Sequence, residues 1–597
     1  MLGSIFYCIT FCLAMGTFWI SKKSKQKLNG MAWTGISFIL VLCYQVLIAG
    51  IYSLLHIRVN LVSIGFSNLL VCVVWMYALK KKKVSMQQYY FEKWDLLPVL
   101  VIGFISVTKY IEQFGMKADI RYITSDPSVH LKGAMDVINT GKVTGMYFSN
   151  LTNAMFIQAV EPFVESFSRY KGMILGEGLL YFISGMVFWA ALRKDREVKN
   201  KTLFLEVFCI VFYMLAYPLN NMIFGFSYLG MTISIIATIF VITNLYSKEK
   251  NNVCIVFLML LCAGVGVGYC LFAPITYVAV CACITWSAYK NKDRINTWIF
   301  DNLKVFLLPS ILTIIFIYLS MFSGSKDMMS MGIATEGYIY KDIFGNLWII
   351  LIPMLIGLCQ YVKEKKICTE SVFFILMLMF MGALYFMSTK GKVSAYYYYK
   401  LNYVMSLVAY LIAYDGLRVI FEESKKTAYA YVTSIVLAFV TFLMSIEGLI
   451  ASVTPQFIPY EKMTYYFDIY HFNNTQLKTQ AFYDEYKLQL YREVFEKYHD
   501  EQVVCVSYFL DEYWYEALTD QRMDTDKYYY WKLATTNELF ANIAEGEDVQ
   551  HLVIIRDSEI YQENAEILDR LNIIVENPAG YIVELNESSR ELLRGIQ

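Results

Sequence analysis

The run MAWTGISFILVLCYQVLIAGIYSL, residues 31–54, contains no charged side chain. A helix needs ~20 mainly apolar residues to cross the ~30 Å hydrocarbon layer of a bilayer, and this run is long enough. Outward from it, similar runs lie near 2–20, 60–79, 95–112, 172–192, 202–220, 225–246, 253–270, 272–289, 302–322, 346–362, 371–388, 402–421 and 428–451. The sequence therefore predicts an α-helical polytopic membrane protein of about 14 spans. Composition agrees: the 597 residues are 57% hydrophobic and 17% charged, with a mean hydropathy of +0.44. A soluble domain is ~45–50% apolar and ~25% charged. A soluble multidomain enzyme, a disordered chain, a disulfide-stapled secreted module and a basic nucleic-acid-binding protein are all excluded. The thirteen cysteines fall mostly inside apolar runs and read as small core hydrophobes.

The first run is not a cleaved signal peptide, because its lysines (Lys22, Lys23, Lys25 and Lys27) follow it rather than precede it. The loops holding Lys22–Lys27, Lys80–Lys83, Arg193–Lys201, Lys248–Lys250, Lys290–Arg294, Lys363–Lys366 and Lys425–Lys426 all fall on one side if the spans alternate. Basic loops stay in the cytoplasm, so the expected location is the plasma membrane, multi-pass, with the N-terminus and everything after residue 451 outside the cell. The formal net charge of zero conceals a split at the same boundary. Residues 1–451 carry 39 Lys and Arg against 24 Asp and Glu, and residues 452–597 carry 12 against 27. The expected domains are thus a basic transmembrane domain, 1–451, and an acidic extracytoplasmic domain, 452–597.

The outer loop 113–171 is too long for a simple connection. Apolar spacing predicts two interfacial helices in it, over Val129–Ile138 and Leu151–Phe167, each with its apolar side down. The loop 323–345 looks similar but looser. In the tail, a polar amphipathic helix is expected over 475–499. Strands at Val503–Ser507, His551–Ile555, Ile573–Val575 and Tyr581–Leu585 alternate with helices at Asp511–Leu518 and Asn564–Leu571. That alternation predicts a small α/β domain without a Gly-rich phosphate loop.

Ionisable residues near membrane depth are functional candidates by default. On the expected outer side they gather in two places: Lys109, Glu112, Asp119, Arg121, Asp126, His130, Lys132 and Asp136, and then Lys390, Lys392 and Lys400 beside Tyr396–Tyr399 and Tyr403. Asp126 before Pro127 suits a helix start, and capping alone would explain it. A carboxylate there also suits proton abstraction from a hydroxyl, with His130 one turn on along the same face. The tyrosine run reads equally as an aromatic belt with a snorkelling lysine. Outer lysines beside aromatic rings also suit a lipid phosphate carrying a sugar, and Tyr397 and Tyr399 could pack on its ring. Breaks at Tyr217–Asn221, Gly225–Gly230 and Phe272–Pro274 read as turns or as the rim of a lipid cleft. No Walker loop, zinc spacing, nucleophile elbow or arginine ladder occurs, which argues against pumps and channels.

The long acidic loop after an early span, the motif Ser125-Asp126-Pro127-Ser128-Val129-His130, the late segment Tyr397–Lys400 with Tyr403, and the outer α/β tail resemble the GT-C superfamily of integral membrane glycosyltransferases. The acidic pair Asp119 and Asp126 is seven residues apart, wider than is usual there. The resemblance implies transfer of a sugar from a polyprenyl-phosphate donor to a glycan or polymer on the outer face, with inversion, and a composition rich in Lys, Ile, Tyr and Asn points to a bacterial cell-envelope pathway. Asp126 or Asp119 would be the base. His130, Arg121, Lys392 and Lys400 would hold the donor phosphate, and Glu112, Tyr397 and Tyr399 would contact substrate. Some relatives use a divalent cation (Mg or Mn) and some do not, and these residues leave that open. Membrane lipids are expected partners and nucleic acid is not. The competing readings are a polysaccharide polymerase or ligase and a lipid-linked oligosaccharide flippase. Few arginines in the outer loops count against the first, and few charges within the spans count against the second.

Overall fold

A computed structural model of the chain describes residues 1–19, 28–81, 89–121, 126–143, 148–194, 202–215, 219, 222, 227–250, 252–292, 294–322, 343–364, 367–423, 427–445 and 482–596. Each predicted apolar run coincides with a helix: α1 (Leu2–Phe18), α2 (Gly30–Leu54), α3 (Leu61–Lys81), α4 (Leu96–Phe114), α7 (Tyr170–Arg193), α8 (Leu203–Leu215), α9 (Ser227–Glu249), α10 (Asn252–Gly268), α11 (Ala273–Lys290), α12 (Ile295–Phe322), α13 (Ile343–Lys363), α14 (Thr369–Thr389), α16 (Asn402–Glu423) and α17 (Thr427–Ser445). Among the described residues, nine helical stretches are long and apolar enough to cross a membrane, and five further apolar helices are shorter.

These helices pack by close approach. Helices α13 and α16 cross at Gly357 and Gly416. A Cβ on Gly416 would lie 2.0 Å from the Pro353 carbonyl oxygen, and one on Gly357 would lie 2.2 Å from that of Ile412. Small residues at such crossings let helix backbones meet where no hydrophobic effect drives them together.

One end of the bundle is locked by buried charge. Arg193, at the end of α7, pairs with Asp95 before α4 and, at 2.7 Å, with Glu206 of α8. Asn29 donates to the same Asp95 carboxylate at 2.7 Å, and Lys194 pairs with Glu370 of α14. The termini gathered here belong to helix ends that strict alternation places on a common side. Of the basic loops, 22–27, 82–83, 195–201 and 425–426 lie outside the described residues, as do 323–342 and 451–481.

The segment 113–171 forms α5 (Asp126–Thr140) and α6 (Phe148–Val160), followed by 3-10 turns at Glu161–Phe163 and Ser166–Arg169. Pro162 ends the second helix earlier than its apolar spacing predicts. Helix α6 is covered on nearly every side rather than one, packing against α1, α2, α3, α5, α7, α9 and α10. The reason lies in its composition: Ser149, Asn150, Thr152 and Asn153 are buried along with Leu151, Ala154 and Met155.

Two short strands, β1 (Leu28–Asn29) and β2 (Tyr89–Tyr90), pair in parallel before α2 and α4, and the C-terminal residues form a four-stranded sheet, ordered β3 (Gln502–Val506), β4 (Val549–Ile555), β6 (Gly580–Glu584), β5 (Ile573–Asn577). The β3–β4 pair is parallel and the other two are antiparallel. Five helices cover it: α18 (Glu485–Lys497), α19 (Phe509–Thr519), α20 (Thr536–Glu545), α21 (Glu559–Leu568) and α22 (Glu587–Arg594). The expected helix at Asn564–Leu571 sits several residues earlier, because Ser558 caps α21 through the Tyr561 amide. Helices α20 and α22 were not expected at all. The molecule is an α-helical polytopic membrane protein with a small α/β C-terminal region.

Candidate active site

Helix α5 opens at Asp126-Pro127, a favourable start for proline, which has no N–H to leave unpaired. One turn on, His130 is buried and its ring meets that of Tyr228, the second residue of α9, at 5.2 Å. The Tyr228 hydroxyl accepts a hydrogen bond of 2.9 Å from Lys400 Nζ. Lys400 ends the short helix α15 (Ala395–Lys400), which Ser394 caps. Its ammonium is only 4% exposed and lies among aromatic rings: Tyr396 at 4.4 Å, Tyr269 at 5.0 Å and Tyr228 at 5.4 Å. Tyr269 comes from the turn between α10 and α11, so the break at Phe272–Pro274 is a turn that also supplies a wall of this site. Among the described residues no carboxylate lies within ion-pair distance of Lys400; Asp126 is the acidic group whose charge acts on it. A half-buried carboxylate thus shares its surroundings with a buried, unmatched cation.

Beside them runs a crevice lined by Gln113, Arg121, Pro127, Tyr170, Glu177 and Trp514, among others. Gly115 ends α4 next to it. Its φ of +66° turns the chain out of α4 where a side chain would be strained, and an added Cβ would also press on Phe482 at 3.2 Å. Asp119 then follows, half-buried, with its charge felt by Tyr170.

Arg121 donates through Nε to the Gln113 carbonyl at 3.2 Å, and its guanidinium lies over the Phe482 ring at 4.5 Å. Glu112 is buried and held by Lys109 at 2.6 Å on the same helix, where residues three apart are neighbours. Tyr397 and Tyr399 are half-buried on α15. Lys392 is exposed on the turn before α15. Ser125, Tyr217, Pro218 and Gly225 lie outside the described residues.

The C-terminal region completes this end. Its Tyr483 amide donates to the Ile120 carbonyl at 2.8 Å, and Phe482 forms a β-bridge with Arg121. Four ion pairs tie it to the 113–171 segment: Lys132–Glu516, Arg169–Asp520, Arg522–Asp136 at 2.5 Å and Arg492–Glu165 at 2.6 Å. Glu516 also accepts from Tyr529, and Tyr513 lies close enough to Asp126 to feel its charge. Asp126, His130, Lys400, Arg121 and Asp119 are therefore brought to one end of the molecule.

Three residues there escaped the reading of the sequence. Glu177 was detectable, since it is a carboxylate within an otherwise apolar run, 172–192. Tyr228 and Trp514 give no local signal; only the packing brings them in. Among the described residues, no three His, Cys, Asp or Glu side chains come together in a way that could hold a metal ion. Among the described residues, then, no donor set fits the divalent cation that the sequence leaves open.

No family model matches the chain, and no curated protein matches it. Among solved structures, it is similar to the crystal structure of the Archaeoglobus fulgidus oligosaccharyltransferase in complex with Zn and sulfate, with 11% identity and a TM-score of 0.44 over 79% of this chain and 69% of that one.

Proposed function

We propose that this protein is a GT-C-type membrane glycosyltransferase. It takes a sugar from a polyprenyl-phosphate carrier and attaches it to a glycan or cell-envelope polymer at the outer face of a bacterial plasma membrane. The observation that carries the reading is a buried Lys400 ammonium with no carboxylate at ion-pair distance among the described residues, near enough to Asp126 to feel its charge. Burying an ammonium without a counter-ion is costly, and an anionic ligand removes that cost. A carboxylate beside an anion site is what attack of a hydroxyl on a sugar phosphate requires.

In this reading Asp126 takes the proton from the acceptor hydroxyl as its oxygen bonds to the anomeric carbon. The carbon–oxygen bond to phosphate breaks on the opposite face, inverting the centre. Lys400, with His130 behind Tyr228, stabilises the charge on the departing phosphate, an effect strengthened where water is excluded. Arg121 faces the same crevice. Asp119 is the alternative base, Tyr397 and Tyr399 form a rim for the sugar, and Glu112, at the outer end of α4 and held there by Lys109, is a further substrate contact. Exposed Lys392 contributes by attracting the donor from the headgroup layer.

The test is turnover of a polyprenyl-phosphate sugar, labelled in the sugar, by the purified full-length protein in lipid. Carrier-dependent appearance of labelled acceptor is expected. Movement of intact donor across the bilayer without glycosidic cleavage would establish the flippase reading instead.

A further inference from the structure

Helix α5, which carries Asp126 and His130, rests chiefly on two neighbours: α6 of the 113–171 segment and α19 of the C-terminal region. Helix α19 follows α5 in register. Tyr513 lies near enough to Asp126 to feel its charge, Trp514 lines the same crevice as Pro127, and Glu516 pairs with Lys132. One turn past Lys132, Asp136 pairs with Arg522 of the C-terminal region at 2.5 Å. The C-terminal region therefore grips this helix from Asp126 to Asp136.

The two ion pairs differ in kind. Arg522 and Asp136 are 39% and 35% exposed, so water screens them, and such a pair holds little. Glu516 is 0% exposed and Lys132 25%. A buried carboxylate is costly unless donors meet it, and this one has three. The Met523 amide donates to Oε1 at 2.8 Å, while the Tyr529 hydroxyl and the Lys132 ammonium donate to Oε2. Met523 and Tyr529 belong to the C-terminal region and fix the carboxylate in place. Lys132 alone of the three reaches it from α5, so the fixed carboxylate decides where that helix can sit.

We infer that Glu516 is a positioning residue for the base: through Lys132 it sets the place of α5, and hence of the Asp126 carboxylate, against the acceptor hydroxyl. The inference rests on the glycosyltransferase reading for what α5 does, but not for what holds it. Proton abstraction needs the carboxylate within hydrogen-bond reach of the hydroxyl. A displacement of about 1 Å can cost about 10²-fold in rate.

The experiment uses the full-length protein in lipid nanodiscs, with hydrogen–deuterium exchange over residues 126–140, Tm, kcat and the carrier KM as readouts. Lys132→Met leaves Glu516 its two donors within the C-terminal region. It should speed exchange of the α5 amides about tenfold while strands β3 and β4 keep theirs, since α5 then opens locally. Its kcat should fall about 10²-fold with the carrier KM unchanged. Glu516→Gln should act in the same direction, and the double variant should lose no more than Lys132→Met alone, as expected for partners in one contact. Lys132→Arg, which restores the charge and the donor, should recover both readouts. Arg522→Ala, which breaks the screened pair, should change kcat by less than about threefold.

Unchanged α5 exchange in Lys132→Met overturns the inference, as does faster exchange with wild-type kcat, since a merely structural pair would lower Tm and leave kcat alone. Failure of Lys132→Arg to recover either readout assigns the loss to packing and likewise overturns it. Faster α5 exchange in Lys132→Met, where the wild type shows no carrier turnover, upholds the hold of Glu516 on α5 and removes the glycosyltransferase reading.

Discussion

Replacing Lys400 by methionine removes a buried ammonium that no described carboxylate pairs with. Trading such a charge for an apolar side chain of similar volume is often neutral or stabilising. Lys400→Met should therefore keep or raise Tm while turnover falls by about 10²-fold, in the range for losing one preorganised charge-stabilising group. A parallel fall in Tm and activity would make the lysine structural. A second titratable group belongs to the C-terminal region. Burial, with Asp511 and Glu516 nearby, raises the Glu512 carboxyl to about 8. Its folded pKa lies above the unfolded one, so the folded state binds the extra proton. Stability should be greatest below about pH 4.5 for this group and decline as pH rises towards about 8. Glu512→Gln, which mimics the protonated form, should flatten that part of the profile in denaturant melts at several pH values. Asp126 and His130 were legible in the sequence because one turn of helix separates them. The aromatic cage of Lys400 was not, since Tyr228 and Tyr269 lie more than 120 residues away and reach it through three helix ends.

The helices divide by how their sequences report them. Every apolar run meets a helix, because a bilayer demands length and apolarity together and leaves little else possible. The amphipathic pieces were harder to read. Helix α6 shows apolar residues at helical spacing, yet its polar residues are buried too, so its one-sided pattern predicted a surface location that the packing does not give it. Helix α22, with only Leu592 and Leu593 to pack, has too short a stripe to be seen. Crossing points between helices are also invisible in a sequence, and they are where single substitutions act hardest. Gly416→Leu places side-chain carbon against the Pro353 carbonyl and should cost about 3 kcal/mol, at the upper end for overpacking. The loss would appear as a lowered Tm in thermal melts of the reconstituted protein, with Gly382→Leu, whose Cβ meets nothing within 4 Å, as the insensitive control.

Across the whole molecule, the charge split between residues 1–451 and 452–597 turns out to be local in its effect. The acidic C-terminal region meets the 113–171 segment through ion pairs of both polarities, with the base on the membrane side in Lys132–Glu516 and Arg169–Asp520 and on the C-terminal side in Arg522–Asp136 and Arg492–Glu165. Mixed polarity fixes the docking register better than a uniform field would, because sliding the surfaces brings like charges together. A double-mutant cycle over Arg169→Ala and Asp520→Ala should show coupling of about 1 kcal/mol in unfolding of the C-terminal region; additive effects would mean that this pair does not hold the interface.

The most direct measurement of the central assignment is the single-turnover rate of sugar transfer from a polyprenyl-phosphate donor in Asp126→Asn, with Asp119→Asn alongside and Tm recorded for both. Loss of the base should slow Asp126→Asn by about 10²–10⁴-fold with Tm unchanged, and Asp119→Asn by much less. Wild-type rates in a folded Asp126→Asn, or the full loss in Asp119→Asn alone, would contradict it.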